Sequence, residues 1–257
     1  MEERIAHIQT PDGKMETFIT HPEEAGPFPM VIVFMDIWGL REELFDIARR
    51  VGTVGYYCLV PDMFYRQGRL RFDTRAETGK MLSVGVVDPN LRDKAVQAGR
   101  KVSDAMVAMD TGAMLEFANG DEAVRRGAVG VIGYCMGGRH ALFAAGFHPD
   151  RVRATACLHG TNLVTTQNDS PHLLADRMRG EIYCAFAEKD QFAAPSVRAK
   201  LEEVLASAPV TYHQQLHKGV DHGYALPDRD IYDRHAAARD WEIIFAMFRR
   251  QMPPGGT

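Results

Sequence analysis

The chain has 257 residues and carries 30 Lys plus Arg against 34 Asp plus Glu, a formal net charge of −4. It holds no basic run that could follow a phosphate backbone, which argues against nucleic acid as a partner. No apolar run approaches membrane-spanning length, and the charged opening MEERIAHIQTPDGKMETF lacks the apolar stretch of a secretory or transit segment, so no membrane association and a cytoplasmic location are expected.

The first twenty residues read as a β-hairpin, RIAHIQ and METFIT around a PDGK turn, and the pattern then changes to βα alternation. MVIVFMD (30–36) is a nearly continuous apolar run ending at an acid; REELFDIARRVGTVGY has helical spacing; YCLVPD (57–62) is the next short run. Residues 63–93 are polar and weakly periodic, which predicts an excursion that acts as a lid or shapes a substrate site. KAVQAGRKVSDAMVAMDTGAMLEFANG predicts one long helix ending at Asn-Gly. GAVGVIGY leads into GYCMGG, followed by a small-residue helix, GRHALFAAGFHP, that proline stops.

VRATACLHG, EIYCAFAEKD and VTYHQQLH are further strand candidates, separated by the helical segments SPHLLADRM and SVRAKLEEVLA. An amphipathic helix over about 233–251 and a flexible tail over 252–257 complete the chain. Continuous apolar strands alternating with helices indicate an α/β fold, a mostly parallel sheet covered on both faces, expected as a single domain over 1–257. The four cysteines, Cys58, Cys135, Cys157 and Cys184, form no C-x-x-C pair, and all but Cys135 lie in apolar strand-like runs. That is the pattern of reduced thiols, not of a disulfide or zinc framework, and neither metal nor cofactor is expected.

Ligands of an open parallel sheet bind beyond the carboxyl ends of its strands. The residues expected there are Asp36, Asp62, Cys135, His159, Asp190 and the loop with His217 and His222. Cys135 is the centre of G-x-C-x-G, with a further glycine at 138. A nucleophile on a strained strand-to-helix turn needs such glycines, and the dipole of the helix that starts there favours thiolate over thiol. A thiol near its unperturbed pKa of ~8.5 also needs a base. His222, in a glycine-flanked loop, is the first candidate, His217 the second, and His213 lies inside the strand. Asp190, with Glu188 as the alternative, ends its strand where a carboxylate can orient the imidazole. Cys135, Asp190 and His222 follow the chain order nucleophile, acid, base.

These segments, VIVFMDIWGL, YYCLVPDMFYRQG, VGVIGYCMGG, AEKDQFAAP and DHGYALPD, together with the hairpin, resemble the dienelactone hydrolases, α/β-hydrolases that use cysteine in place of serine. The resemblance covers nearly the whole chain. It implies hydrolysis of a small ester or lactone through a thioester, with a Cys135, Asp190, His222 triad and an oxyanion hole from the backbone N–H groups of Ile37 and Met136. It also implies a supporting acid at Asp36, usually glutamate in the family, that contacts the resting cysteine. The family's two carboxylate-binding arginines are replaced here by Lys80-Met81 and Leu226, with Arg66, Arg75 and Arg229 nearby. Trp38, Tyr65, Arg66, His159 and Tyr224 are the substrate-lining candidates. The departures leave one competing reading, a non-catalytic protein of the same fold that binds small ligands or partners. Oligomeric state has no signature in the sequence.

Overall fold

The computed structural model describes residues 1–24 and 26–255. Alternating side chains in the first segments produce β1 (Glu2–Thr10) and β2 (Gly13–His21), paired antiparallel from Glu2 opposite His21 to Thr10 opposite Gly13. The apolar runs that follow become β3 (Phe28–Phe34), β4 (Tyr57–Pro61), β5 (Val124–Tyr134), β6 (Val152–Leu158), β7 (Gly180–Lys189) and β8 (Val210–Asp221). They form one 8-stranded sheet in the order β1-β2-β4-β3-β5-β6-β7-β8. β2 meets β4 antiparallel, and every pairing from β4 to β8 is parallel.

Every residue of β3 is buried, so this strand is apolar throughout instead of alternating. Each Val or Ile removed from water there contributes roughly 1.5–3 kcal/mol before the entropy of ordering is subtracted. Helices supply the cover: α1 (Glu42–Gly52), α2 (Pro89–Arg100), α3 (Asp104–Asn119), α4 (Met136–Phe147), α5 (Pro195–Ala206) and α6 (Arg234–Gln251). Two glycines of β5 show the two covered faces. A Cβ at Gly130 would run into Met252 and Phe248 at the end of α6, and one at Gly133, on the opposite face, would collide with the backbone of Gly137 in α4.

From β3 the chain moves outward to β4 on one side, then returns to place β5 on the other. The ends of β3 and β5 therefore diverge, and the crevice between them is where an open parallel sheet receives a ligand. Residues 35–39 leave β3 at this point, and Cys135 leaves β5 beside them.

Several local expectations change. The single helix expected across 94–120 is two: α2 starts earlier, at Pro89 with the Asp88 side chain as its cap, and ends at Arg100. α3 restarts after Ser103, whose hydroxyl accepts from Met106 N at 3.2 Å. A capping serine in mid-pattern lets the backbone leave one helix and begin another. SPHLLADRM forms a 3-10 helix, Pro171–Arg177. The last strand runs on to Asp221, which places His217 inside it and not near its end. The expected excursion holds a 3-10 turn, Tyr65–Gln67, and isolated bridges from Met81 to Arg75 and Arg229 before α2 begins. At the C-terminus Met252 is buried; Gly256 and Thr257, the end of the tail expected to be flexible, lie outside the described residues.

Candidate active site

Cys135 sits between β5 and α4 with φ 54° and ψ −114°, a left-handed backbone that L side chains rarely adopt. Such a conformation costs of order 1–3 kcal/mol and persists only where its surroundings hold it. Here the Cys135 N–H donates to Leu158 O at 3.1 Å, and its carbonyl accepts from Gly138 N at 3.0 Å and Thr161 N at 3.2 Å. The glycine pattern has a steric cause. A side chain at Gly137 would collide with the Phe34 carbonyl, and a Cβ at Gly138 would lie 2.8 Å from Gly160 Cα. α4 thus packs close against the ends of β3 and β6, and its positive end points at the cysteine.

His222 follows β8 immediately, and its Nδ1 lies 2.8 Å from Asp190 Oδ2. The other oxygen of Asp190 accepts from Phe192 N at 2.8 Å, and the carboxylate is fully buried. With Nδ1 committed to Asp190, Nε2 of His222 is left without a partner, and ring and Cys135 share the wall of one cavity. Phe192 and His159 hold the imidazole edge to face, each with ring centroids 5.0 Å away. Burial opposes the charged imidazole, but attraction to the Cys135 sulfur and the bond to Asp190 outweigh it and push the His222 pKa up to about 10.

The cavity is about 540 Å³. Ile37, Trp38, Val84, Val96, Val102 and Leu226 give it apolar walls, and Asp36, His159 and Arg229 add polar ones. The Ile37 N–H has no acceptor among the described residues. Met136 is the first residue of α4, where a helical N–H has no intrahelical acceptor. The two donors flank the cavity that holds Cys135.

Of the substrate-lining candidates, Trp38 and His159 border the cavity. His159 is fully buried, neither ring nitrogen has a partner, and burial, with the charges of His222 and Arg229, holds its pKa well below the ordinary value. Tyr65, Arg66 and Tyr224 do not border it. The Tyr65 hydroxyl bonds Asp110 at 2.9 Å and Thr10 at 2.7 Å, and the Arg66 guanidinium makes two 2.8 Å bonds to Asp110. A buried carboxylate on α3 therefore turns both away from the site. The Tyr224 hydroxyl donates to Asp240 at 2.6 Å, which draws the side chain into the core under α6. Glu188, the alternative acid, accepts from Gly219 N at 2.8 Å, and Arg75 pairs with Asp73 at the surface.

Arg229 is one of three arginines that border the cavity, with Arg100 and Arg139. It is 4% exposed, lies 5.4 Å over the Trp38 ring, donates to Leu82 O at 2.7 Å and leaves Nε without a partner. Burial pulls its pKa down, and Asp36 resists that pull from 3.9 Å. Asp36 already has partners of its own. Arg41 donates to both its oxygens, at 2.7 and 2.9 Å, and the Trp38 N–H adds a 3.1 Å bond. Reasoning from sequence passed over Arg41 and Phe192. Arg41 stands five residues after Asp36, across a turn that carries no periodic signal, and Phe192 is one aromatic in a polar loop.

A strained cysteine between strand and helix at the switch point, with a histidine–aspartate pair on later strand ends, places the chain among enzymes of the α/β-hydrolase fold. The dienelactone hydrolase family profile matches residues 15–252, and the chain belongs to that family. It is accordingly a carboxylic ester hydrolase of the dienelactone hydrolase type. It is 24% identical over 257 residues to the carboxymethylenebutenolidase of Rhodococcus opacus, covering 98% of this chain and 93% of that one. It is 24% identical over 242 residues to a candidate carboxymethylenebutenolidase of Synechocystis sp., covering 91% of each. In three dimensions it is similar to a candidate dienelactone hydrolase from Klebsiella pneumoniae, with a TM-score of 0.82 at 22% identity over 97% of this chain and 98% of that one. No helix among the described residues is long and apolar enough to cross a membrane.

Proposed function

We propose that the chain hydrolyses a small ester or lactone through a thioester on Cys135, with His222 as acid and base and Asp190 orienting it. The observation that carries this reading is the His222 ring, bonded to Asp190 through Nδ1 while Nε2 stays free in the cavity that Cys135 borders. The raised pKa of His222, caused by the neighbouring Cys135 sulfur and the bond to Asp190, suits the imidazole to take the proton of the nucleophile.

The thiolate attacks the carbonyl carbon, and the oxyanion that forms accepts from the N–H groups of Ile37 and Met136. Backbone donors aimed at developing charge in a site that excludes water are worth several kcal/mol each, roughly 2.7–4 for one donor elsewhere. The C–O bond then breaks as His222 gives its proton to the departing alkoxide, which in a lactone remains tethered to the acyl group. Water next attacks the thioester, His222 takes a proton from it, and the acid leaves as the thiolate is restored. The net reaction is ester plus water to acid plus alcohol. The apolar walls suit a compact acyl or ring system, and Arg229, the buried one of the three arginines along the cavity, offers a cationic group for a carboxylate or carbonyl substituent.

Cys135→Ala is expected to lower turnover of p-nitrophenyl acetate by at least about 10³-fold, as for other removed nucleophiles. Undiminished turnover in a pure preparation would overturn the proposal.

A further inference from the structure

Arg41 stands outside the reaction just described, yet it joins two parts of the site that are distant in sequence. Its guanidinium is 8% exposed and lies between two carboxylates. One is Asp36, on the turn after β3; the other is Asp228, in the loop that follows His222, held at 2.5 Å through Nε and at 3.3 Å through Nη2. Asp36 in turn accepts from the Trp38 N–H at 3.1 Å, so the chain of bonds runs from the histidine loop through Arg41 and Asp36 to the peptide that follows Ile37. The Gly39 N–H closes the same turn on the Asp36 carbonyl at 3.4 Å.

We infer that Arg41 is a positioning residue for the reaction, clamping the turn that presents the Ile37 N–H to the loop that carries His222 and neutralising the Asp36 carboxylate beside the forming oxyanion. The inference rests on the proposed thioester chemistry. Its physical content has two parts. The first is geometric: two N–H donors on Asp36 fix the carboxylate that fixes the turn, and an oxyanion donor displaced by about an ångström loses most of its effect. The second is electrostatic. An uncompensated carboxylate at Asp36 would repel both the thiolate and the negative oxygen that forms on attack, in a pocket where charge is poorly screened. Asp36 is instead compensated within a cluster: Arg41 is shared between it and Asp228, Arg229 stands 3.9 Å from it, and Glu43 is a further acid near Arg41 and Asp228.

The test is a set of variants, Arg41→Met, Arg41→Lys, Asp36→Asn and the double variant Arg41→Met/Asp36→Asn, compared in kcat, KM and the rate at which iodoacetamide alkylates Cys135. Arg41→Met should lower kcat about 10- to 100-fold with KM changed less than about threefold, and should slow alkylation. Arg41→Lys, which keeps the charge but not the bidentate geometry, should fall between it and the wild type. Adding Asp36→Asn to Arg41→Met should recover about tenfold in kcat, because it removes the exposed charge without rebuilding any contact. The double variant also covers the case in which Arg41→Met alone folds poorly, since it leaves one carboxylate, Asp228, without its arginine instead of two. Wild-type kcat in Arg41→Met, or a double variant no better than the single one, overturns the inference. If Cys135→Ala is inactive while Arg41→Met is fully active, only the inference fails; if Cys135→Ala is active, the proposed chemistry fails first.

Discussion

The described residues contain two histidine–aspartate pairs of almost the same length, five residues apart in their histidines. His222 meets Asp190 at 2.8 Å, and His217 meets Asp240 at 2.7 Å. The second pair lies between β8 and α6. His217 spends Nε2 on Asp240, whose two oxygens also accept from the hydroxyls of Tyr183 at 2.7 Å and Tyr224 at 2.6 Å. This is a saturated buried network, which ties the last helix to the sheet and leaves the carboxylate nothing further to do. The first pair uses Nδ1 instead, and its Nε2 is left facing a cavity with a strained cysteine on its wall. A hydrogen bond of the right length therefore does not mark a catalytic pair. What sets the proposed catalytic pair apart is the unused nitrogen and what shares its cavity.

The largest expected effect separates the two pairs directly. His222→Asn should lower kcat by about 10³- to 10⁴-fold, whereas His217→Asn should leave kcat within a few-fold and instead lower unfolding free energy by roughly 1–3 kcal/mol, the cost of a buried bond lost from one side. Steady-state kinetics beside urea denaturation read both effects. Equal losses of activity in the two variants would erase the distinction.

A second prediction turns on pH. The His222 pKa is raised in the folded protein, to about 10 from an ordinary 6.5, so its charged form stabilises the fold fully below about pH 6.5, and this contribution is lost as pH rises through about 10. The stability difference between the wild type and His222→Gln should accordingly shrink with rising pH across that window, measured by urea unfolding at fixed ionic strength. A difference that grows with pH would contradict the ion pair.

The smallest effect concerns the arginines. Arg229→Met should raise KM about tenfold for esters whose acyl group carries a carboxylate and less for neutral ones, because a charged hydrogen-bond donor in the wall is lost. Arg66→Met should leave both values unchanged, since Asp110 keeps that guanidinium away from the cavity. A carboxylate-independent KM in Arg229→Met would remove Arg229 from substrate contact.

The hairpin, the buried parallel strands and the cysteine turn were legible in the sequence because each is written in neighbouring residues. Alternation marks β1 and β2, an unbroken apolar run marks β3, and glycines at 133, 137 and 138 mark a place where backbones approach too closely for a Cβ. The order of Cys135, Asp190 and His222 was legible for the same reason, since strand ends can be counted. The break between α2 and α3 was not, because the helical spacing continues across it and a single capping serine outweighs the pattern.

What only the tertiary structure decided is which polar groups the site keeps. Tyr65 and Arg66 stand in a promising segment, but Asp110, more than forty residues later, claims them both. Asp36 ends a strand at the switch point, but Arg41 occupies it, and Arg41 is itself held by Asp228, 187 residues along the chain. Periodicity and turn chemistry act over a few residues, so the sequence by itself determined the sheet, the strained turn and the order of the candidate site residues. Competition among buried charges for partners acts through space, so the burial of Arg229 in the wall, the turning of Nε2 of His222 to the cavity and the pairing of Arg41 with Asp36 belonged to the folded chain.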